Sequence, residues 1–315
     1  MEPRTRLRVA AAGALVALAC AACHPAAVHE AGPDDVEVSG PFGSVPTVTF
    51  PTPFAVEEPS VTTIIDGGDG ELAEGSPVLV DGISFDGGTG DVVADTYAGL
   101  PGVFFFTSDS LGADLWAVLE GAGAYDRLLS LDPTTANGVA STVLSIVDVS
   151  PARAHGEAVA PIAGLPAVTL ADDGAPTVAK PSGTPPADLV QQVLIKGDGE
   201  QVAESDTVLL QYTAVGWSDG AVIDTTWGEG LLPRTVVLAD AVPGLATGLL
   251  DQTVGSQVML VVPPEQAYGT DTVVFVVDVL DVVHDLDATP SPTATSSPSP
   301  TSSGTSTPTP SPSGS

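Results

Sequence analysis

Residues 244–269 read "GLATGLLDQTVGSQVMLVVPPEQAYG", and the fold turns on how this stretch is divided. Leu245 and Leu249 stand four apart, about one helical turn, and Pro243 ahead of them has the fixed φ that suits a first turn. That predicts one short helix in "PGLATGLLDQ". The run "SQVMLVV" has the apolar, β-branched make-up of a strand. Pro263 and Pro264 end it, because neither offers an N–H to a ladder. Tyr268 and Gly269 follow, and after only Thr270 and Asp271 the chain enters "TVVFVVDVL". Alternation puts Val273, Phe275, Val277 and Val279 on one face of this strand and interrupts the other face at Asp278.

Internal similarity widens the reading. "ADLWAVLEGAGAYDRLLSLDPTTANG" (113–138) aligns without a gap on 244–269, and "GDGELAEGSPVLV" (68–80) answers "GDGEQVAESDTVLL" (197–210). "VPTVTFPTP" (45–53) matches "LPAVTLADD" (165–173), and "STVLSIVDVS" (141–150) matches "DTVVFVVDVL" (271–280). Two tandem copies of one domain follow, the first over 45–150 and the second over 164–285, with a linker at 151–163. In the second copy "DTVLLQYTA" alternates, with Val208, Leu210 and Tyr212 on one face and Leu209, Gln211 and Thr213 on the other. "SDGAVID" carries an Asp-Gly turn between strand-like runs, and "RTVVLAD" is a further strand. The fold class is therefore α+β, each copy a twisted antiparallel β-sheet wrapped around one short helix.

The two ends are of a different kind. Arg4, Arg6 and Arg8 precede an apolar run, Val9 to Ala19, too short to span a bilayer, so residues 1–22 read as a secretory signal peptide. Cys20 and Cys23, the chain's 2 cysteines, close it in "ALACAACHP". One of the two is expected to be acylated as the first residue of a lipoprotein. Leu18 stands where a small residue is preferred before Cys20, and Cys20 takes the usual aliphatic position before Cys23. An ordinary Ala-x-Ala cleavage with incidental cysteines is the alternative. Either way the folded part has no cysteine, which excludes a disulfide framework and thiol chemistry. Residues 23–44 read as a flexible tether. Residues 286–315, mostly Ser, Thr, Pro and Gly, read as a disordered tail.

With 8 basic against 40 acidic residues the chain carries a net charge of −32. Such a surface repels phosphate backbones and anionic headgroups, which excludes nucleic acid as a partner and leaves a lipid anchor as the only attachment to a membrane. His24, His29, His155 and His284 are scattered, so no metal site or His-based triad is expected. "DGGDGE" (66–71) lacks the alternating oxygen ligands of a calcium loop and reads as a glycine-rich turn.

Taken in order, "VLIKGDGEQV", "DTVLLQYTA", "DGAVIDTT", "VPGLATGLLDQTVGSQVMLVVPPEQAYG" and "TVVFVVDVLDV" resemble the FKBP family of peptidyl-prolyl cis-trans isomerases, over essentially all of Gln191 to Val283. Behind a leader of this kind, two such domains resemble actinobacterial secreted FKBP lipoproteins. The resemblance implies isomerisation of X-Pro bonds in proline-containing polypeptide clients, with no cofactor and no metal. Its pocket falls on Tyr212 and Asp224 (strand aromatic and buried carboxylate), Val242 (backbone N–H to the substrate carbonyl), Tyr268 (the "AYG" tyrosine) and Phe275 (last strand).

Several positions depart from the family's pattern. Ile223 stands for a wall phenylalanine, Leu245 for the tryptophan that commonly floors the pocket, Arg234 for a second wall aromatic, and Glu229 for an arginine that pairs with the carboxylate. A buried carboxylate without a cation tends to stay protonated, so Arg234 is expected to pair with Asp224. The family's flap between "AYG" and the last strand is reduced here to Thr270 and Asp271, which implies a shallow, wet pocket. The first copy keeps little of the site: Gly82 stands for Tyr212, Ala94 for Asp224 and Asn137 for Tyr268. It reads as a structural spacer or a divergent binding surface.

Duller readings stay open for single residues. Tyr212 and Phe275 can be plain core aromatics, Asp224 a turn cap, and Trp217 and Trp227 surface packing. The expected function is that of an extracytoplasmic prolyl isomerase, secreted or anchored, monomeric, and acting through its second copy. A weakly catalytic or non-catalytic chaperone is the alternative.

Overall fold

The computed structural model describes residues 31–284 apart from Asp69 and Asn137. The leader, Cys20, Cys23 and the Ser/Thr/Pro-rich tail lie outside the described residues, as does the comparison of Asn137 with Tyr268. The chain is built mostly of β-strands with few helices. Among the described residues no helix is long and apolar enough to cross a membrane.

One antiparallel sheet is formed by the C-terminal half. It runs Val222–Thr225, Thr207–Gly216, Val273–Val283, Gln257–Val262, Val190–Lys196 and Glu157–Ala158, with Arg234–Val237 also paired to Thr207–Gly216. The other sheet runs Ser60–Ile65, Asp126–Ala136, Val139–Pro151, Pro77–Asp86 and Val92–Asp95, with Gly102–Phe105 also paired to Pro77–Asp86.

Alternation in the 207–216 strand sorts its side chains as expected. Val208, Leu210 and Tyr212 join the core that holds Leu245, Leu249, Phe275 and Val277. Leu209, Gln211 and Thr213 are buried as well, on the opposite face. That second face is covered at one end by Leu165, Val168 and Val178, which pack on Val215, Trp217, Met259, Val274 and Val276, and at the other by Leu79 and Ala152, which cluster with Leu209 and Leu280. Trp217, open to a reading as surface packing, is thus a core residue.

The predicted helix spans Pro243–Leu249, with Pro243 in its first turn. It approaches the 257–262 strand through Gly244 and Gly248, four apart on one face. A β-carbon on Gly248 would lie 2.6 Å from the Leu260 methyls, and one on Gly244 would clash with Val262. In the other half the helix Ser108–Leu119 is longer and breaks at Gly112, whose φ is 75°.

Strand pairing corrects the gapless alignment of the two halves by one residue. Arg127 lies opposite Asp148 and Leu128 opposite Val147, while Gln257 lies opposite Asp278 and Val258 opposite Val277. Arg127 therefore corresponds to Gln257, not to Val258, and the strand side chains exchange faces relative to the gapless match. A slip of one residue inverts every side chain in a strand, so only the pairing decides it.

Residues 31–44 are not the flexible tether expected. Glu37–Ser39 pairs with Thr47–Thr49, Val36 is buried, and Val36, Val38, Val48 and Phe50 cover the outer face of the first sheet. The Arg127 guanidinium pins this segment by donating to the carbonyls of Gly40 (3.1 Å) and Ser44 (2.8 Å). The expected linker is also tied down. Glu157–Ala158 adds an edge strand to Val190–Lys196, and the Ala154 N–H donates to Asp278 Oδ2 at 2.8 Å.

Candidate functional site

Tyr212 lies on the inward face of the 207–216 strand and is 7% exposed. Its hydroxyl donates to Asp224 Oδ2 at 2.6 Å. The backbone beneath is held by reciprocal bonds to Thr226: the Tyr212 N–H donates to Thr226 Oγ1 (2.8 Å) and the Thr226 N–H to the Tyr212 carbonyl (2.9 Å). Arg234, opposite Leu210 on the edge strand, donates from Nη1 to Asp224 Oδ2 at 3.0 Å and makes a short bond to the Tyr212 hydroxyl. Its guanidinium carbon lies 5.5 Å from the centre of the Tyr212 ring. The expected Arg234–Asp224 pair is thus formed.

Asp224 itself differs from expectation, because its side chain is 39% exposed and not buried. The Tyr212 hydroxyl holds the Asp224 carboxyl below its ordinary range, burial opposes this, and Arg234 adds to the lowering. The carboxylate is ionised, not protonated, because desolvation is too weak at this depth to outweigh its donors. Tyr212 is displaced upward, first by burial and then by its bond to Asp224.

Phe275 and Leu245 lie beneath, 1% and 9% exposed, in one core with Tyr212. Val242 caps the helix, its carbonyl accepting from the N–H groups of Leu245 (2.9 Å) and Ala246 (3.1 Å). Among the described residues its own N–H meets no acceptor, which leaves that donor open to a ligand. Tyr268 stands at the rim, about half exposed, with its ring centre 6.5 Å from that of Phe275. The short loop carrying it is anchored where Asp271 Oδ2 accepts from the Ser218 N–H (3.0 Å) and hydroxyl (2.8 Å).

The arrangement brings Tyr212, Asp224, Arg234, Val242, Leu245, Tyr268 and Phe275 to one end of the sheet. Ile223 is not brought into the wall. Asp224 pairs with Ala214 and Val222 with Val215, so Ile223 is the extra residue of a β-bulge, and it is 49% exposed. Thr226 and Ala267 were not found from the sequence. Thr226 clips the carboxylate-bearing segment to Tyr212, and Ala267 packs on the core that holds Phe275. Neither small residue has a local signal, since its role depends on a partner in another element.

In the first sheet Gly82 pairs with Val147 as Tyr212 does with Val277, and Ala94 pairs with Ser84 as Asp224 does with Ala214. Even the clip recurs, the Gly82 N–H donating to Thr96 Oγ1 at 2.9 Å. The backbone frame persists there without the side chains that line the site. Two hollows lie elsewhere among the described residues. One of about 650 Å³ is lined by Tyr97, Tyr125, Asp148 and Leu280. Another, of about 450 Å³, is lined by Gln211, Trp227 and Glu229. Among the described residues no three His, Cys, Asp or Glu side chains gather as a metal site would require.

Residues 198–279 match the family model of the FKBP-type peptidyl-prolyl cis-trans isomerase. An FK506-binding protein of Streptomyces anulatus is 30% identical over 119 residues, which is 34% of this chain and 96% of that protein. The FKBP-type peptidyl-prolyl cis-trans isomerase FkpA of Escherichia coli (strain K12) is 37% identical over 103 residues, 30% of this chain but only 37% of FkpA. The crystal structure of FkpA shares 31% identity over 38% of this chain and 52% of that one, with a TM-score of 0.29. The family match at 198–279 covers most of the C-terminal sheet and the residues at its end; with the Streptomyces protein spanned almost whole, the chain belongs to the FKBP-type peptidyl-prolyl cis-trans isomerases.

Proposed function

We propose that residues 164–285 are the isomerase domain, acting on X-Pro bonds of client polypeptides outside the cytoplasm, and that residues 45–150 with the segment before them are a second copy of the fold without a working site. An X-Pro amide prefers trans only slightly but crosses a barrier of about 18–20 kcal/mol, because resonance keeps it planar. No nucleophile is needed. The planar amide has the more polar carbonyl, so a floor of Phe275, Leu245 and the Tyr212 ring disfavours it relative to the twisted form. The open N–H of Val242 holds a substrate carbonyl, and Tyr268 closes against the proline ring from the rim. Tighter binding of the twisted amide than of either planar isomer supplies the acceleration.

The open Val242 N–H beside the core that holds Phe275 is the single observation that carries this reading. It is tested on the full chain by the rate of a proline-limited refolding reaction. Catalysis that Phe275→Ala and Tyr268→Ala reduce together supports it, and a wild-type rate no greater than either variant's rejects it. A weakly catalytic chaperone is the second reading, favoured by the half-exposed Tyr268 and the short loop behind it, which leave the site open to solvent. Leader, lipid anchor on Cys20 or Cys23, and monomeric state complete the proposal. They rest on the order of basic, apolar and small residues at 1–23 and on a surface charge that disfavours self-association.

A further inference from the structure

Arg234 is the cation at the site, and only part of it is used internally. Nη1 serves Tyr212 and Asp224, while Nε and Nη2 have no partner among the described residues, and the side chain is 53% exposed. The strand bearing it is an edge strand, paired on one side to Thr207–Gly216. Just beyond the Asp224 carboxylate lie Val222 and Ile223, both exposed. The rim therefore offers the two aligned N–H donors of a held guanidinium, and Val222 and Ile223 stand further along the same edge of the 207–216 strand, beyond Asp224.

We propose that Arg234 is a positioning and specificity-determining residue, which steadies the Tyr212 ring through Nη1 and turns its free edge to the client, so that the site prefers an X-Pro segment with an acidic side chain beside the proline. This rests on the isomerase reading above. Arginine suits both tasks because its planar fork keeps separate donors for separate acceptors, whereas a lysine head is a single hydrated point charge. Elsewhere the chain's net charge of −32 works against an acidic client. Beyond about 8 Å that field is screened at physiological salt, whereas the contact with Arg234 is not.

The experiment uses the full chain and three peptides that differ only in Glu, Ala or Lys before the proline, at physiological ionic strength. Both catalysed isomerisation and equilibrium binding are measured, for wild type, Arg234→Lys and Arg234→Gln. Wild type is expected to favour Glu over Lys by roughly two- to fivefold, the size of an exposed charge pair. Arg234→Gln should abolish or invert that ratio. Arg234→Lys should keep the ratio in binding while lowering kcat, since it retains charge but cannot serve Tyr212 and the client at once. Equal binding of the three peptides to wild type, or a ratio unchanged in Arg234→Gln, overturns the proposal. Absence of catalysis on every peptide with the binding preference intact would instead reject the isomerase reading and leave the specificity of Arg234 standing.

Discussion

Asp148 and Asp278 hold the same register position in their two sheets, both almost fully buried, and differ in what answers them. Asp148 receives the Arg127 guanidinium, Nε to Oδ1 and Nη2 to Oδ2, each at 2.7 Å. Asp278 receives the Gln257 amide at 2.8 Å and the Ala154 N–H. The first half thus buries a compensated charge, and the second buries a carboxyl that a neutral amide cannot compensate.

Burial pushes Asp278 up to about 7 against the pull of its two donors, and Asp281 likewise to about 7. His284 is raised too, foremost by its bond to Asp206. A group with a raised folded pKa stabilises below its unfolded pKa and loses that contribution as pH rises through the folded one. For the carboxyls the window runs from about pH 4 to 7, and for His284 it begins near 6.5. Thermal stability should therefore fall between pH 5 and pH 8. Asp278→Asn should remove part of that fall, on the order of 2–4 kcal/mol at about 1.4 kcal/mol per pH unit. Melting curves of both proteins across that range check it.

Arg127→Met should be far more damaging than its conservative volume suggests. It strands the buried Asp148 carboxylate, a loss of about 3–5 kcal/mol. It also frees the carbonyls of Gly40 and Ser44 and the segment that covers the first sheet. Denaturant titration measures the first effect, and faster proteolysis near residues 40–44 the second.

Gly248→Ala should destabilise by about 1–3 kcal/mol although alanine is the better helix former by about 1 kcal/mol. The added β-carbon meets Leu260 at 2.6 Å, so helix and sheet must part. Because the same helix presents Val242 and Leu245, isomerase activity at a temperature where the variant is folded should also drop.

Asp224 is held ionised by the Tyr212 hydroxyl and Arg234. A depressed folded pKa means that the ionised arrangement is present above the unfolded pKa and lost only as pH falls through the lowered value. Activity should thus be level from pH 5 to 8, with no inflection from Asp224. Tyr212→Phe should cost on the order of tenfold in activity, since it removes a hydrogen bond to a charged group, worth about 1.5–3 kcal/mol.

Local chemistry determined much of this protein. The helix from Pro243 with Leu245 and Leu249 inward, the sorting of Val208, Leu210 and Tyr212 from Leu209, Gln211 and Thr213, and the end of a strand at Pro263 all follow from periodicities and backbone constraints carried by neighbouring residues. Tertiary structure decided what depends on distant partners. The match between the halves was one residue out because glycine- and leucine-rich segments align almost as well at either offset, while only the ladder of Arg127 with Asp148 and Gln257 with Asp278 tells them apart. Ile223 could not be read as a bulge, nor Asp224 as half-exposed, without the strand they oppose. Residues 31–44 read as tether because their composition is loose. They are ordered by Arg127, more than eighty residues away, whose buried guanidinium donates to the carbonyls of Gly40 and Ser44.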